Sequence, residues 1–258
     1  MRIQILHEDK DILAVDKPAG ILVHPAAEQA RDGAGPDKDT IISIFHKKYP
    51  KLEVVHRLDK ETSGVLLLAK NPKAQEFLKK QFQNRTIKKI YNAIVSGSMK
   101  NNRGVIKKPI GRSPKDFRKW LAGRGARGEL REAETFYKVI KHFEAPCVQN
   151  FSRFTLKGSD TDKNFEHMAP FSYLEVRPKT GRTHQIRVHM KYLNHPVVGD
   201  ELYNPDGAIL LPSLPFRKGE EKKGGRMMLH ALSIEFKNLK GETVKIESPL
   251  PKEFSKYS

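Results

Sequence analysis

Nine residues, His56-Arg57-Leu58-Asp59-Lys60-Glu61-Thr62-Ser63-Gly64, separate two apolar runs, Val54-Val55 and Val65-Leu66-Leu67-Leu68-Ala69. The runs read as buried strands. Asp59, Thr62, Ser63 and Gly64 are residues that build a tight polar turn between them. A turn delivered by two apolar strands holds its side chains in fixed directions, as a reactive group requires. By residue type alone, the favoured role for Asp59 is a different one, bonding its own backbone within the turn. The rest of the chain has to decide.

The totals narrow the classes. At 258 residues the chain can bury one large core or two small ones. A hydrophobic content of 38% with a mean hydropathy of −0.60 describes a soluble globular protein. No run approaches the ~20 apolar residues of a membrane span, so no membrane association is expected. The start, Met-Arg-Ile-Gln-Ile-Leu-His-Glu-Asp, puts polar residues where a signal peptide needs an apolar core. A single cysteine, Cys147, rules out an internal disulfide framework and a Cys-based zinc site. The expected compartment is the cytoplasm.

Charge says more. Forty-eight Lys and Arg against thirty Asp and Glu give +18 at pH 7. Such an excess points to a polyanionic partner, nucleic acid before an acidic membrane surface. From Lys100 to Arg131 there are eleven Lys or Arg and two acids, Asp116 and Glu129. That segment reads as a basic irregular loop, either a solvated connection or a phosphate contact.

Along the chain, Ile3–Leu6 and Ile12–Val15 read as a hairpin. Lys17-Pro18-Ala19-Gly20 breaks the second strand before Ile21-Leu22-Val23-His24-Pro25, with Lys17 open to a structural or a site role. Residues 26–39 read as a loop, and Thr40 to Lys48 as a short helix capped by Asp39 or Thr40. Asn71-Pro72 opens a helix whose apolar stripe is Ala74, Phe77, Leu78 and Phe82. Ile87 to Val95 is a strand carrying Lys89-Ile90-Tyr91-Asn92-Ala93, with Tyr91 placed 32 residues beyond Asp59. The sole tryptophan, Trp120, is read as packing the basic loop or stacking on a polyanion's bases. Glu134–His142 and Ser172–Arg177 alternate as strands, with an irregular polar insertion over 157–169. Thr183 is expected to cap a helix bearing Ile186, Met190 and Leu193. His184 and His189 lie five apart, against the four of a zinc-binding helix, and read as hydrogen-bonding groups. Residues 204–225 read as a Pro- and Gly-rich loop. Met228-Leu229-His230-Ala231 leads into a strand, Val244–Ile246 completes a hairpin, and 249–258 is a short tail. The expected fold class is α+β: one domain over residues 1–258, with a central mixed, mostly antiparallel sheet.

Several of these strings together resemble one family. HRLDKETSG matches all seven fixed positions of HRLDxxTSG, the signature of the RluA-type RNA pseudouridine synthases. Lys17 to Pro25 (KPAG-x-x-VHP), Lys89-x-Tyr91-x-Ala93, Thr180 to His189 (TGRTHQIRVH), Gly199-Asp200-x-x-Tyr203 and Leu229-His230-Ala231 resemble its further motifs. The resemblance covers nearly the whole chain. It implies a pseudouridine-synthase fold with a cleft across the sheet. The small S4 RNA-binding module of many relatives is not seen ahead of Lys17-Pro18, which leans the reading toward tRNA or a small stem-loop by analogy.

What the resemblance implies for the site is specific. Asp59 is the catalytic carboxylate, Tyr91 stacks on the target base, and Arg187 is the cation that keeps Asp59 charged, with Arg182 as the alternative. Arg57 fills the gap left by a flipped base and Leu229 lines the base pocket; His56, Thr62 and Arg182 complete the expected substrate-binding set. The expected activity is isomerisation of a uridine in rRNA or tRNA, by a monomer. Neither cofactor nor metal is expected, because the reaction imports no group. Asp59 serves either as nucleophile at C1′ or as base at C2′ of the ribose, and both routes stay open. A paired uridine must first leave the stack, at a cost of a few kcal/mol.

Overall fold

The structure is a computed structural model that describes residues 3–24, 40–148, 166–204, 226–255 and 257. In chain order the elements begin with β1 (Ile5–Glu8), β2 (Ile12–Lys17), α1 (Ile41–His46), β3 (Glu53–Val54), β4 (Ser63–Ala69), α2 (Pro72–Gln83) and β5 (Lys88–Ser96). Then follow β6 (Arg103–Lys107), β7 (Ile110–Arg112), β8 (Trp120–Ala122), β9 (Arg127–Arg131), β10 (Glu134–Val148) and β11 (Glu166–Pro178). The last elements are α3 (Gln185–Tyr192), β12 (Leu229–Lys237), β13 (Thr243–Glu247) and α4 (Lys252–Ser255). The chain divides into two compact units, one of Met1–Tyr91 with Leu229–Leu250, the other of Asn92–Met228 with Pro251–Ser258.

The first unit is a sheet in the order β1-β2-β4-β12, with β3 on β4 and β13 on β12. β12 runs parallel to β4, and the other pairs are antiparallel. The sheet is mixed, as the sequence reading expects. β4 is buried at all seven positions, so its run of Val and Leu reads as continuous rather than alternating. Where β4 starts, Ser63 and Gly64 lie beside His230 and Ala231. Gly64 has φ +112°, and a Cβ there would come within 2.2 Å of the Ala231 carbonyl oxygen, so this crossing demands glycine. α2 is capped as its sequence predicts: Asn71 has extended backbone, its side chain accepts from the Ala74 N–H at 2.9 Å, and Pro72 opens the helix. α1 is capped by Thr40, in a capping box with Ser43.

The second unit is built on the long antiparallel pair β10–β11, with β6 on the outer edge of β10. The strand over 166–169 falls inside the stretch read as an irregular insertion; pairing with β10 carries it on, with Ala145 opposite Ala169. The basic segment is a larger correction. Instead of an irregular loop it folds into β6 and a small antiparallel sheet in the order β8-β7-β9. Strands of three to five residues, rich in Arg and Gly, give no readable alternation. Ile110 nevertheless buries with Ala133, Val188 and Tyr203, and Trp120, Ala122 and Leu202 pack on them. Trp120 therefore packs the segment, one of the two roles left open for it.

Two smaller readings also change. α3 is capped at His184, not Thr183; His184 sits at φ 54° and makes no side-chain capping bond. The turn before α3 is held instead by Gln185, whose Oε1 accepts from Thr180 Oγ1 at 2.6 Å and from the Arg182 N–H at 3.0 Å. The short tail carries an element that the sequence reading did not give it, α4, which buries Phe254 completely, and Tyr257 stacks on Phe143 at 4.7 Å. The loops expected over 26–39 and 204–225 and the insertion over 157–165 lie outside the described residues, apart from Asn204.

Candidate active site

In the first unit, β3 and β4 carry the turn that holds Asp59. The turn closes on itself through Thr62 N–H to Asp59 O at 3.1 Å. Three anchors fix it from outside. His56 Nε2 accepts the Leu67 N–H of β4 at 3.0 Å, and the imidazole stacks on Phe82 of α2 with centroids 4.8 Å apart. An accepting Nε2 places the ring proton on Nδ1. Burial, with the nearby charge of Lys89 as a lesser cause, lowers the His56 pKa to about 3, so the ring is neutral at physiological pH. At the far end of the turn, Ser63 Oγ lies 2.9 Å from His230 Nδ1 of β12. Beneath the turn is Lys17, whose side chain is fully buried. Its ammonium donates to the carbonyls of Pro18 at 2.9 Å, Ile21 at 2.8 Å and Lys60 at 2.9 Å. Lys60 O also accepts the Gly20 N–H at 2.8 Å. Lys17 thus ties the Lys17-Pro18-Ala19-Gly20 break to the residue after Asp59. Of the two roles open to Lys17, the geometry displays the structural one.

Asp59 itself is half-exposed, Arg57 is exposed, and Thr62 is buried. Tyr91, on β5, lies close enough to Asp59 to feel its charge. Burial first, and that charge second, hold the phenol pKa above its ordinary value, so the hydroxyl stays protonated. Lys89 lies two residues earlier on the same strand face, and burial pulls its amine down to about 8. Leu229, the first residue of β12, is buried. The first unit therefore brings Asp59, Tyr91, His56 and Lys89 into one cluster.

In the second unit, Arg187 on α3 is buried and gives Nε to Asp200 Oδ2 at 2.7 Å and Nη2 to Asp200 Oδ1 at 2.8 Å. The guanidinium lies over the Tyr203 ring, 5.1 Å from its centroid. Asp200 Oδ1 also accepts the N–H groups of Leu202 and Tyr203 at 3.1 Å each. This bidentate pairing fixes the plane of the guanidinium. Sequence reasoning missed Asp200 as Arg187's carboxylate. A signal existed, because an arginine within the buried run Ile186 to Met190 requires an acid. The two histidines do hydrogen-bond: His184 Nδ1 to Tyr203 OH at 2.9 Å, and His189 to Thr135 Oγ1 at 2.8 Å and Lys108 O at 3.0 Å. Arg182 donates Nε to Glu132 O at 3.0 Å. Among the described residues no three His, Cys, Asp or Glu side chains gather as metal ligands.

The turn thus sets a carboxylate beside a protonated phenol. The family model described as RNA pseudouridylate synthase matches residues 11–192, and the chain belongs to this family of RNA-modifying isomerases. A ribosomal large subunit pseudouridine synthase D of Xanthomonas campestris is 35% identical over 98% of this chain and 68% of its own length. An RNA pseudouridine synthase of Chlorobaculum parvum is 37% identical over 97% of the chain and 72% of its own length. Against the synthase D of Neisseria meningitidis serogroup A, 35% identical, the chain spans 59% of the relative's length. Among solved structures, human RNA pseudouridylate synthase domain containing 1 superposes with a TM-score of 0.68 at 25% identity, over 98% of this chain and 86% of that one.

Proposed function

We propose that the chain isomerises a uridine of large-subunit ribosomal RNA, with Asp59, Tyr91 and Arg187 as the catalytic residues. The observation that carries the site reading is the turn bearing Asp59, braced by His56 on the Leu67 N–H, by Ser63 against His230 and by Lys17 on the Lys60 carbonyl, with Tyr91 near enough to feel the Asp59 charge. The ribosomal substrate is suggested by the names of the relatives, and supersedes tRNA in this proposal. In the reaction the C1′–N1 bond breaks, the uracil rotates, C5 bonds to C1′, the C5 proton leaves to a base and N1 gains a proton. Atoms balance without an imported group or an electron acceptor. Asp59 acts at the ribose, by attack on C1′ or by taking the C2′ proton. Tyr91 stacks on the uracil, Leu229 packs against it, and Arg57 occupies the place of the extruded base. Thr62 and His56 hold the turn, and Arg182 grips phosphate. Arg187 enters on the family pattern, and its planar pairing with Asp200 supports a fixed guanidinium rather than a mobile one. The chain works as a monomeric cytoplasmic enzyme, read as one catalytic domain over residues 1–258.

Asp59→Asn tests the assignment. Tritium release from RNA carrying 5-tritiated uridine falls by at least about 10³-fold, the scale of losing a nucleophile or base, while RNA binding stays within about two-fold. Retained turnover sinks the Asp59 assignment.

A further inference from the structure

The turn joining β7 to β8 presents an aromatic ring to solvent and is braced to keep it there. Phe117 is 72% exposed, the most exposed of the large apolar side chains among the described residues. A lone exposed apolar residue is ordinary, but its setting here is not. Ser113 N–H donates to Lys119 O at 3.0 Å and Lys119 N–H to Asp116 O at 2.9 Å, closing the turn on both sides of the ring. Asp116 accepts the Arg118 backbone N–H at 3.0 Å and grips its guanidinium through Nε at 3.1 Å and Nη2 at 3.0 Å. Arg112 donates Nη1 to the Phe117 carbonyl at 2.6 Å while its guanidinium lies 4.3 Å from the centroid of the packed Trp120. So Phe117 stands on a rigid turn anchored to the buried side of the small sheet. Within five residues of it in sequence are Arg112, Lys115, Arg118 and Lys119 against one acid, Asp116, which pairs with Arg118 at 3.0 Å and Lys119 at 3.9 Å.

A preorganised ring on a turn carrying four cations and one acid matches unpaired nucleic acid: the net positive charge attracts phosphates, and the aromatic face takes a base of any identity. A protein partner would favour an apolar surround, and a duplex keeps its base faces covered. We propose that Phe117 is a stacking contact for an unpaired base of the RNA, outside the residues that act on the target uridine. The proposal rests on the chain acting on RNA, and it concerns grip on the strand rather than chemistry.

The test uses the full chain and two fluorescent RNAs, an unstructured 12-nucleotide strand and a blunt, fully paired 12-base-pair duplex. Phe117→Ala weakens binding of the single strand roughly ten-fold, as loss of one base–aromatic stack does, and leaves the duplex within two-fold. Phe117→Trp restores the single-strand affinity, and its added fluorescence is quenched by that strand. Circular dichroism of each variant matches the wild type, because the ring supports no core. Equal weakening for both RNAs, no weakening for either, or failure of the wild type to bind the single strand overturns the proposal. Tritium release by the wild type on cellular RNA is scored separately, so a failure of the catalytic reading is not mistaken for a failure of the stacking contact.

Discussion

At the scale of single residues, the histidine that opens the Asp59 turn is more a brace than a ligand. His56 joins a β4 amide to an α2 ring, and does so only when neutral. Its pKa of about 3 lies below the ordinary 6.5, so between those values the unfolded chain binds the extra proton. Stability is therefore fully present above pH 6.5 and is lost as pH falls toward 3. Urea midpoints of the wild type should drop from pH 7 to pH 4, and those of His56→Gln, which cannot titrate, should drop less. Parallel curves would refute the brace. The residue scale is also where the sequence was most and least readable. Asp59 and Tyr91 stood in strings whose order is distinctive. Asp200 stood in one too, Gly199-Asp200-x-x-Tyr203, but its pairing was not legible, because it follows from the burial of an arginine thirteen residues earlier, and burial is not printed in a sequence.

Among elements, those with a full period and chemically marked ends were legible. α2 carried its Asn-Pro start and apolar stripe, β4 its continuous apolar run, and β12 with β13 a hairpin turned at Gly241. The sheet β8-β7-β9 was hidden for the opposite reason, since each strand is too short to show alternation and its surface is arginine. The start of α3 was misjudged because Gln185, rather than a capping Thr183, supplies the acceptors at the turn. The link most worth breaking at this scale is Lys17. Lys17→Met keeps the volume but leaves three carbonyls without their ammonium. It should cost about 3 kcal/mol or more, on the scale of removing charged hydrogen bonds from a buried site. At a temperature where the variant remains folded, kcat should fall with KM little changed, because the turn under Asp59 slackens. Wild-type kcat in a folded Lys17→Met protein would remove Lys17 from the positioning of that turn.

For the molecule as a whole, charge sets the terms of encounter. An excess of +18 gives RNA association a steep salt dependence. β9 is exposed at all five positions, and with Arg124 it presents Arg127 and Arg131 on a paired strand rather than a loose loop. Replacing Arg124, Arg127 and Arg131 by Gln should lower the slope of log affinity against log salt by about two units, at roughly 0.7–0.9 for each phosphate no longer neutralised. An unchanged slope would leave β9 a solvated edge whose arginines serve only to discourage strand-to-strand aggregation.

The crossing of β4 and β12 reaches furthest along the chain, since Ser63 and Gly64 meet His230 and Ala231, 167 residues later. A ribosome making this chain N-terminus first releases the Asp59 turn long before the strand that seats its far end. Pairings so distant in sequence are slow to form and close late. The nascent chain therefore emerges with the far end of the Asp59 turn lacking its seat, and the contact of Ser63 with His230 forms only after β12 has left the ribosome.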